Sequence, residues 1–426
     1  MTIQSERPYL MNPSVNFGLG AVVNQEYISD DFHHALDQWI HHEEILRVGV
    51  ELHDSGTAEM KIRQRTVIPV SIYIKSWPEI MEEMNRIPFH FKFEPPVRIF
   101  VKPEGDKFRL FLYFHHLAVD ARSAAVLLSD LVSLYYGKKV PDRKIRLLNG
   151  RDLPAGSRLS FLETYQVNRL NREWEKYPYK RSFDYADSWR LQRNYQNEHR
   201  VFYRQFRLDQ SQTASLMKNC NNKKVDTDSA AGAALVSAAA KVQTVAVPVR
   251  FISAVNIRKD IVFDTSDTTG NYSSMVSIRL RPRKQIWRTA ETVRVMMAKK
   301  TDKPAARLRC LQIYLKLDPL LIDSMFFSAF GHYQSPVSNE LASITGSIGK
   351  QDSLAVSSIG TPDMEGISGL SFFPPAVPGV SATLGITGSD EGLACCLAVC
   401  DMTPEQADRL AAEVYSQMLK EIETAS

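Results

Sequence analysis

The segment Phe108–Phe114, FRLFLYF, constrains the fold more than any other stretch. Its apolar residues run almost without interruption, which suits a strand buried on both faces. Before it, Pro103-Glu104-Gly105-Asp106 is a turn sequence, and Val97–Lys102 supplies a partner strand, so 97–114 is expected to be a hairpin. After it, residues 121–136 (ARSAAVLLSDLVSLYY) place Ala125, Leu128, Val132 and Tyr135 on one helical stripe. Gly137 stands just past the end, the position glycine favours after a helix. A doubly buried strand leading into an amphipathic helix is the signature of a layered α/β protein.

That alternation continues along the chain. Residues 29–43 put Phe32, Ala35, Leu36, Trp39 and Ile40 on one face, with Ser29 or Asp30 as the expected cap. Strand-like runs follow at Ile45–His53 and Met60–Lys75, then a short helix over 77–87. Residues 138–160 are basic and contain Pro and Gly, and 160–198 are polar, aromatic and helix-like. The pattern then restarts. Strands are expected at 201–208, 245–255 and 275–281, and helices at 209–220, 228–241, 285–300 and onward to about 330. Short strands at 353–358 and 380–387, the apolar strand Leu393–Val399 and a helix over 403–422 complete the reading. Two lobes, 1–180 and 181–426, are the natural division.

Composition narrows the function classes. With 44% hydrophobic and 23% charged residues, wholesale disorder is excluded. The 52 basic and 48 acidic residues give a net charge of +4, too balanced to argue for nucleic acid or a membrane surface. The most apolar helix-like run, Ala230 to Ala240, is far short of a membrane span. The N-terminus lacks the pattern of a signal peptide. Five cysteines without a CxxC pair suggest a reducing compartment. A cytoplasmic, monomeric protein is expected.

The chemistry concentrates in Phe111–Ala121, FLYFHHLAVDA. A buried strand ends in His115-His116, and Asp120 stands where the next helix begins. Side chains at such a strand end project into the crevice where α/β proteins place their reactions. Neighbouring strand residues point to opposite faces, so one histidine at most faces a given cavity. His116 is the candidate general base, its ordinary pKa lying near neutrality. His115 and Asp120 would hold the loop. The competing reading is a core histidine pair with Asp120 as a helix cap.

HHLAVDA resembles the HHxxxDG motif of the chloramphenicol acetyltransferase-like superfamily, which includes condensation domains, polyketide-associated acyltransferases, alcohol acetyltransferases and wax ester synthases. Weaker similarities occur in family order: His42–Arg47, Pro88-Phe89, Glu94–Arg98, Val255-Asn256-Ile257-Arg258, Gly270-Asn271-Tyr272-Ser273 and Ser357-Ser358-Ile359-Gly360. The resemblance implies two chloramphenicol acetyltransferase-like α/β lobes packed as a V, with an active-site tunnel between them. It implies that His116 is catalytic and that Asp120 is structural and paired with Arg258. It implies an acyl donor carried on CoA or a carrier protein, a small alcohol or amine acceptor, and no metal or organic cofactor. Asn271, Ser357 and Ser358 are candidate donors to the oxyanion.

Three departures stand out. The final Gly of the motif is Ala121, the D-F-G-W-G motif of plant acyl-CoA transferases is absent, and Ser358 replaces the usual Asn. Without carrier-protein, adenylation or anchor segments, a free-standing enzyme is expected. A catalytically silent binder of carrier protein or ligand, and a thioester hydrolase, remain as alternatives.

Other features read as structure. His33-His34 and His41-His42 suit a solvated helix face better than a metal site. The cluster Cys395-Cys396-x-x-x-Cys400 suits a core strand. The basic segments Lys138-Lys139/Arg143-Lys144-Arg146 and Arg279/Arg281/Arg283/Lys284 could dock an acidic carrier protein or a CoA phosphate, but read first as solvated basic segments. The aromatic stretch Tyr165–Tyr203 reads as packing.

Overall fold

A computed structural model describes residues 1–345 and 353–423. Two sheets organise the chain. The first has five strands in the order Ile367–Phe373, Asn16–Val23, Phe108–His115, Val97–Pro103, Val70–Ile72. The second has six, in the order Ser273–Leu280, Val249–Asn256, Ser353–Gly360, Val380–Ser389, Gly392–Cys400, Val201–Leu208.

The expected hairpin is present. Val97–Pro103 pairs antiparallel with Phe108–His115, and Gly105 takes a left-handed φ of 75° in the turn. Phe108–His115 is the central strand of the first sheet, and all its residues but Arg109 are buried. Helices Ser29–His42 and Ala121–Tyr135 pack on each other beside this sheet. The first of these is capped by Ile28 without a side-chain hydrogen bond, so neither Ser29 nor Asp30 caps it.

The second sheet is covered on one face by helices Gln210–Lys223, Thr227–Lys241, Ile286–Thr301 and Pro404–Glu423. The alanine-rich Thr227–Lys241 approaches closely because a Cβ on Gly232 would meet the Phe251 ring at 2.7 Å. Cys395 packs in this core, whereas Cys396 and Cys400 join the core of the first lobe. Burial raises the Cys395 thiol to about 12, which suits packing and not nucleophilic chemistry.

Besides the two-residue strands Lys144–Ile145 and Thr268–Thr269, two longer strands escape the sequence reading. Asn16–Val23 contains Gly18 and Gly20, whose absent side chains leave room for Phe111 and Trp77. Ile367–Phe373 lies late in the chain yet pairs antiparallel with Asn16–Val23 at the edge of the first sheet. Helix Pro336–Thr345 also lies in a stretch read as irregular. The run Met60–Lys75 divides: Ala58–Ile62 pairs with Val48–Leu52 in a separate ribbon, whereas Val70–Ile72 joins the first sheet. Ile45 to Arg47 form part of a 3₁₀ turn and not a strand.

The same strand and the Pro319–Phe330 helix carry later parts of the chain across the 180/181 division into the first hydrophobic core. A parallel pairing of Lys144–Ile145 with Thr268–Thr269 ties the halves together near the motif. Arg143 reinforces it, binding Asp130 through Nε and the Ser266 carbonyl through Nη1.

Candidate active site

The strand Phe108–His115 ends in a short loop, and Asp120 caps the following helix by accepting from the Ser123 backbone N–H at 2.8 Å. Asp120 does more than cap. Its oxygens also accept from Tyr272 N at 2.8 Å and from Arg258 Nη1 and Nη2, both at 2.9 Å. Arg258 donates further to Ser123 Oγ. Burial opposes the charge on Asp120, but the guanidinium and the backbone donors hold its carboxyl below the ordinary value. This binds the motif loop to the segment 256–273 of the second half, as the resemblance implied.

Ala121 is the first residue of the helix and does not have a positive φ. Glycine's conformational freedom is not needed there, so alanine fits the position without backbone strain.

The two histidines are separated as strand geometry requires. His115 is buried, its ring edge-on to Phe89 and Phe91, and its Nδ1 accepts from the Leu117 backbone N–H at 3.1 Å. Burial, helped by the neighbouring His116 and Arg98, lowers its pKa to about 3, so it stays neutral. It borders a small pocket with Asn12, Asn16, Tyr185 and Gln192.

His116 faces elsewhere. Its ring stacks on Tyr9 at 5.5 Å between centroids and lies 4.7 Å from Phe17. Burial lowers its pKa to about 4, against the opposing pull of Asp120 and of a hydrogen bond to the Val119 backbone. A neutral imidazole at physiological pH is able to accept a proton.

Asn271 lies beneath this loop. Its Nδ2 donates to the His116 carbonyl at 2.7 Å, and its Oδ1 accepts from Ser273 Oγ at 2.7 Å. The two candidate serines part company. On their strand, Leu354 and Val356 face the helix-covered core, so Ser357 points the other way, as do Ala355 and Ile359. Ser358 points toward the helix side, near Asp228, and its Oγ accepts from the Gly360 backbone N–H at 3.2 Å. Ser357 Oγ makes no hydrogen bond with a described residue.

Tyr9 was missed by sequence reasoning. It comes from a four-residue helix, Arg7–Leu10, remote from every motif, and nothing in the sequence signals it. Its phenol lies near Asn271 and Ser273, and burial raises its pKa well above the ordinary value, with the nearby Cys310 adding to the shift. Glu6, just before that helix, is buried and also unpredicted.

His33 and His34 make local contacts, with the Ser29 carbonyl and Gln38, whereas His42 pairs with the distant Asp142. Among the described residues one group has metal-ligand spacing, Glu51, His53 and Glu59. It is largely exposed, and Lys61 bridges its two carboxylates. Four of the five basic residues after the motif are paired: Lys138 with Glu365, Arg143 with Asp130, Lys144 with Glu44 and Arg146 with Asp152.

A two-sheet α/β body with a neutral histidine at a strand end, in a loop whose Asp120 is gripped by Arg258 from the other half, points to the condensation-type class. The sequence pattern of the condensation domain matches residues 19–340, and the chain belongs to that family. No curated protein sequence matches it. Solved structures agree in fold. The first condensation domain of the CDA synthetase is 15% identical, with TM-score 0.63 and coverage of 100% of this chain and 96% of that chain. TRI3 trichothecene 15-O-acetyltransferase from Fusarium sporotrichioides is 11% identical, with TM-score 0.67 and coverage of 98% and 94%. Polyketide synthase associated protein 5 from Mycobacterium tuberculosis is 13% identical, with TM-score 0.62 and coverage of 99% and 97%. Among the described residues no helix is long and apolar enough to cross a membrane.

Proposed function

We propose that this protein transfers an acyl group from a CoA or carrier-protein thioester to a hydroxyl or amine acceptor, in the assembly of a natural product. The observation that carries the reading is the neutral His116, enclosed by Tyr9 and Phe17 on a loop fixed by Asp120 and Arg258. Membership of the condensation family and the fold shared with an O-acetyltransferase support it.

In this mechanism the acceptor O–H or N–H gives its proton to His116 as its heteroatom bonds to the thioester carbonyl carbon. The tetrahedral intermediate then collapses with cleavage of the C–S bond. The leaving thiolate takes the proton back from the imidazolium and departs as the thiol. The thioester is already activated, so the protein's task is positioning, proton transfer and stabilisation of the oxyanion. Ser357, with its free hydroxyl on the inward face, is the preferred oxyanion donor. Asn271, committed to the His116 carbonyl, positions the loop.

The test compares the protein with its His116→Ala variant on acyl-CoA and acyl-carrier thioesters with pooled alcohols and amines. Thiol release and product mass are followed together. Acceptor-dependent acylation that falls by about 10²–10⁴-fold in the variant is the expected result. Thiol release without acceptor would replace transfer with hydrolysis. Carrier binding without turnover in either protein would replace it with a silent binding role.

A further inference from the structure

The segment of the second half that leads to the motif loop is fastened by a buried group whose charges do not balance. Glu43 is fully buried, at 0% exposure, just past the end of helix Ser29–His42. Asp130 reaches the same spot from helix Ala121–Tyr135, and Arg143 from the segment that follows. The Arg143 Nε lies 2.9 Å from Asp130 Oδ2 and 3.2 Å from Glu43 Oε1. That nitrogen carries one hydrogen, and Asp130 accepts it. Glu43 Oε1 has no hydrogen bond with a described residue.

Two carboxylates and one guanidinium leave one negative charge in excess. The other charged groups nearby do not make up the difference. Lys144 pairs with Glu44 and His42 with Asp142, Asp264 and Asp267 are exposed, and Arg47 forms no ion pair with either carboxylate. A buried charge without a partner is costly, and a carboxyl so placed takes up a proton instead. Burial and the neighbouring Asp130 hold the Glu43 carboxyl well above the ordinary range, against the pull of Arg143 and Thr269.

The group grips one particular segment. Thr269 Oγ1 donates to Glu43 Oε2 at 3.3 Å, and Arg143 Nη1 donates to the Ser266 carbonyl at 2.8 Å, so residues 266–269 are held at both ends. The next two residues touch the motif. The Gly270 carbonyl accepts from Asp120 N at 3.2 Å and from Ser123 Oγ at 2.8 Å, and Asn271 Nδ2 donates to the His116 carbonyl at 2.7 Å.

We infer that Glu43 and Asp130 hold one proton between them, and that this proton makes Glu43 a positioning residue, clamping 266–269 so that Gly270 and Asn271 support the His116 loop. The clamp stands apart from the acyl-transfer reading, whereas its effect on a reaction at His116 rests on that reading. While the proton is present, the O–H of one acid meets the other carboxylate, and Arg143 balances the charge that remains. When it leaves, two carboxylates face one guanidinium, and their repulsion drives Glu43 out of its contact with Thr269. A carboxyl whose pKa is raised by folding stabilises the folded state while protonated, and that contribution is lost as pH rises through its titration.

The experiment measures backbone hydrogen exchange across residues 264–272 by mass spectrometry, between about pH 6 and pH 10, corrected for the base catalysis of exchange itself. In the unaltered protein, protection is expected to fall at the alkaline end, by up to about tenfold per pH unit once the shared proton is lost. Glu43→Gln keeps a donor for Asp130 and an acceptor for Thr269 but does not titrate, and Asp130→Asn leaves one carboxylate for Arg143. In both variants, protection is expected to change by less than about twofold over the same range. Exchange in helix Pro404–Glu423, which packs in the second core, reports whether each variant is folded. Protection that does not fall at alkaline pH in the unaltered protein, or that falls equally in both variants, overturns the proposal. In acyl transfer, Glu43→Gln is expected to remove an alkaline limb of kcat. The exchange difference in a protein that transfers no acyl group would keep the clamp and remove the acyl-transfer reading. Transfer without the exchange difference would do the reverse.

Discussion

Arg258 grips Asp120 with both terminal guanidinium nitrogens, each 2.9 Å from a different carboxylate oxygen, across 138 residues of chain. The carboxylate is buried and the guanidinium is mostly enclosed. Two further donors, Ser123 N and Tyr272 N, complete the carboxylate. The arrangement holds the end of the motif loop against the second half of the molecule.

Removing Arg258 would leave that carboxylate buried without its counter-ion. Arg258→Ala is expected to cost about 3–5 kcal/mol in urea denaturation, the range for breaking one side of a buried pair. Asp120→Ala/Arg258→Ala is expected to cost less than the sum of the single variants, because the second change removes the stranded charge. Additive losses would mean that the two side chains stabilise the protein independently.

Much of this was legible in the sequence, for reasons tied to particular residues. FRLFLYF announced a strand without a solvent face, and Asp120 before ARSAAVLL announced a capped helix. The link to Arg258 came through the family resemblance, since no local pattern connects residues 138 apart. What stayed hidden was non-local. Asn16–Val23 is a strand because Phe111 and Trp77 need the space above Gly18 and Gly20. Ile367–Phe373 is a strand because the edge of a distant sheet accepts it. Tyr9 enters the site from a helix too short to have a pattern of its own. The meeting of Glu43 with Asp130 and Arg143 draws on three separate stretches of chain, so no spacing announces it.

The half-buried imidazole of His116, packed against Tyr9 and Phe17, predicts an unusual pH profile. Its pKa is lowered to about 4, so the imidazole stays able to accept a proton well below the ordinary histidine range near 6.5. The acidic limb of kcat/KM is therefore expected to lie nearer pH 4 than pH 6.5. Initial rates from pH 4 to 8, with folding followed by circular dichroism in the same buffers, check this. An acidic limb at pH 6.5 in a fully folded protein would contradict the burial argument.

Tyr9 shields one face of that imidazole. Tyr9→Ala would admit water, ease the burial that depresses the pKa and move the acidic limb upward. Tyr9→Phe keeps the stacked ring and removes only the hydroxyl beside Asn271 and Ser273, so its limb is expected to stay low. Equal limbs in the two variants would show that the ring does not set the histidine's environment.

Ala121 is helical where the motif has glycine, so restoring glycine offers no conformational gain. Ala121→Gly is expected to leave acyl transfer within about twofold and to cost roughly 0.5–1 kcal/mol of stability from backbone entropy. A large rise in transfer would instead mark Ala121 as a disabling substitution.

Glu6 carries the clearest pH signature in stability. Burial raises its carboxyl from 4.5 to about 7, opposed in part by the Ser5 hydroxyl and by backbone hydrogen bonds, and its Oε2 has no donor. Between those two values the unfolded chain has released this proton while the folded protein still holds it. Raising the pH across that window therefore favours unfolding, and the stabilising effect of protonation is lost by the time pH passes 7. Glutamine does not titrate. The stability of Glu6→Gln relative to the unaltered protein is thus expected to rise by about 3 kcal/mol between pH 4.5 and pH 8, as the shift of the carboxyl requires. Denaturation curves at the two pH values measure this difference directly, and any constant penalty from burying an amide cancels between them. Parallel pH dependences in the two proteins would mean that the Glu6 carboxyl titrates near its ordinary value and that burial does not control it.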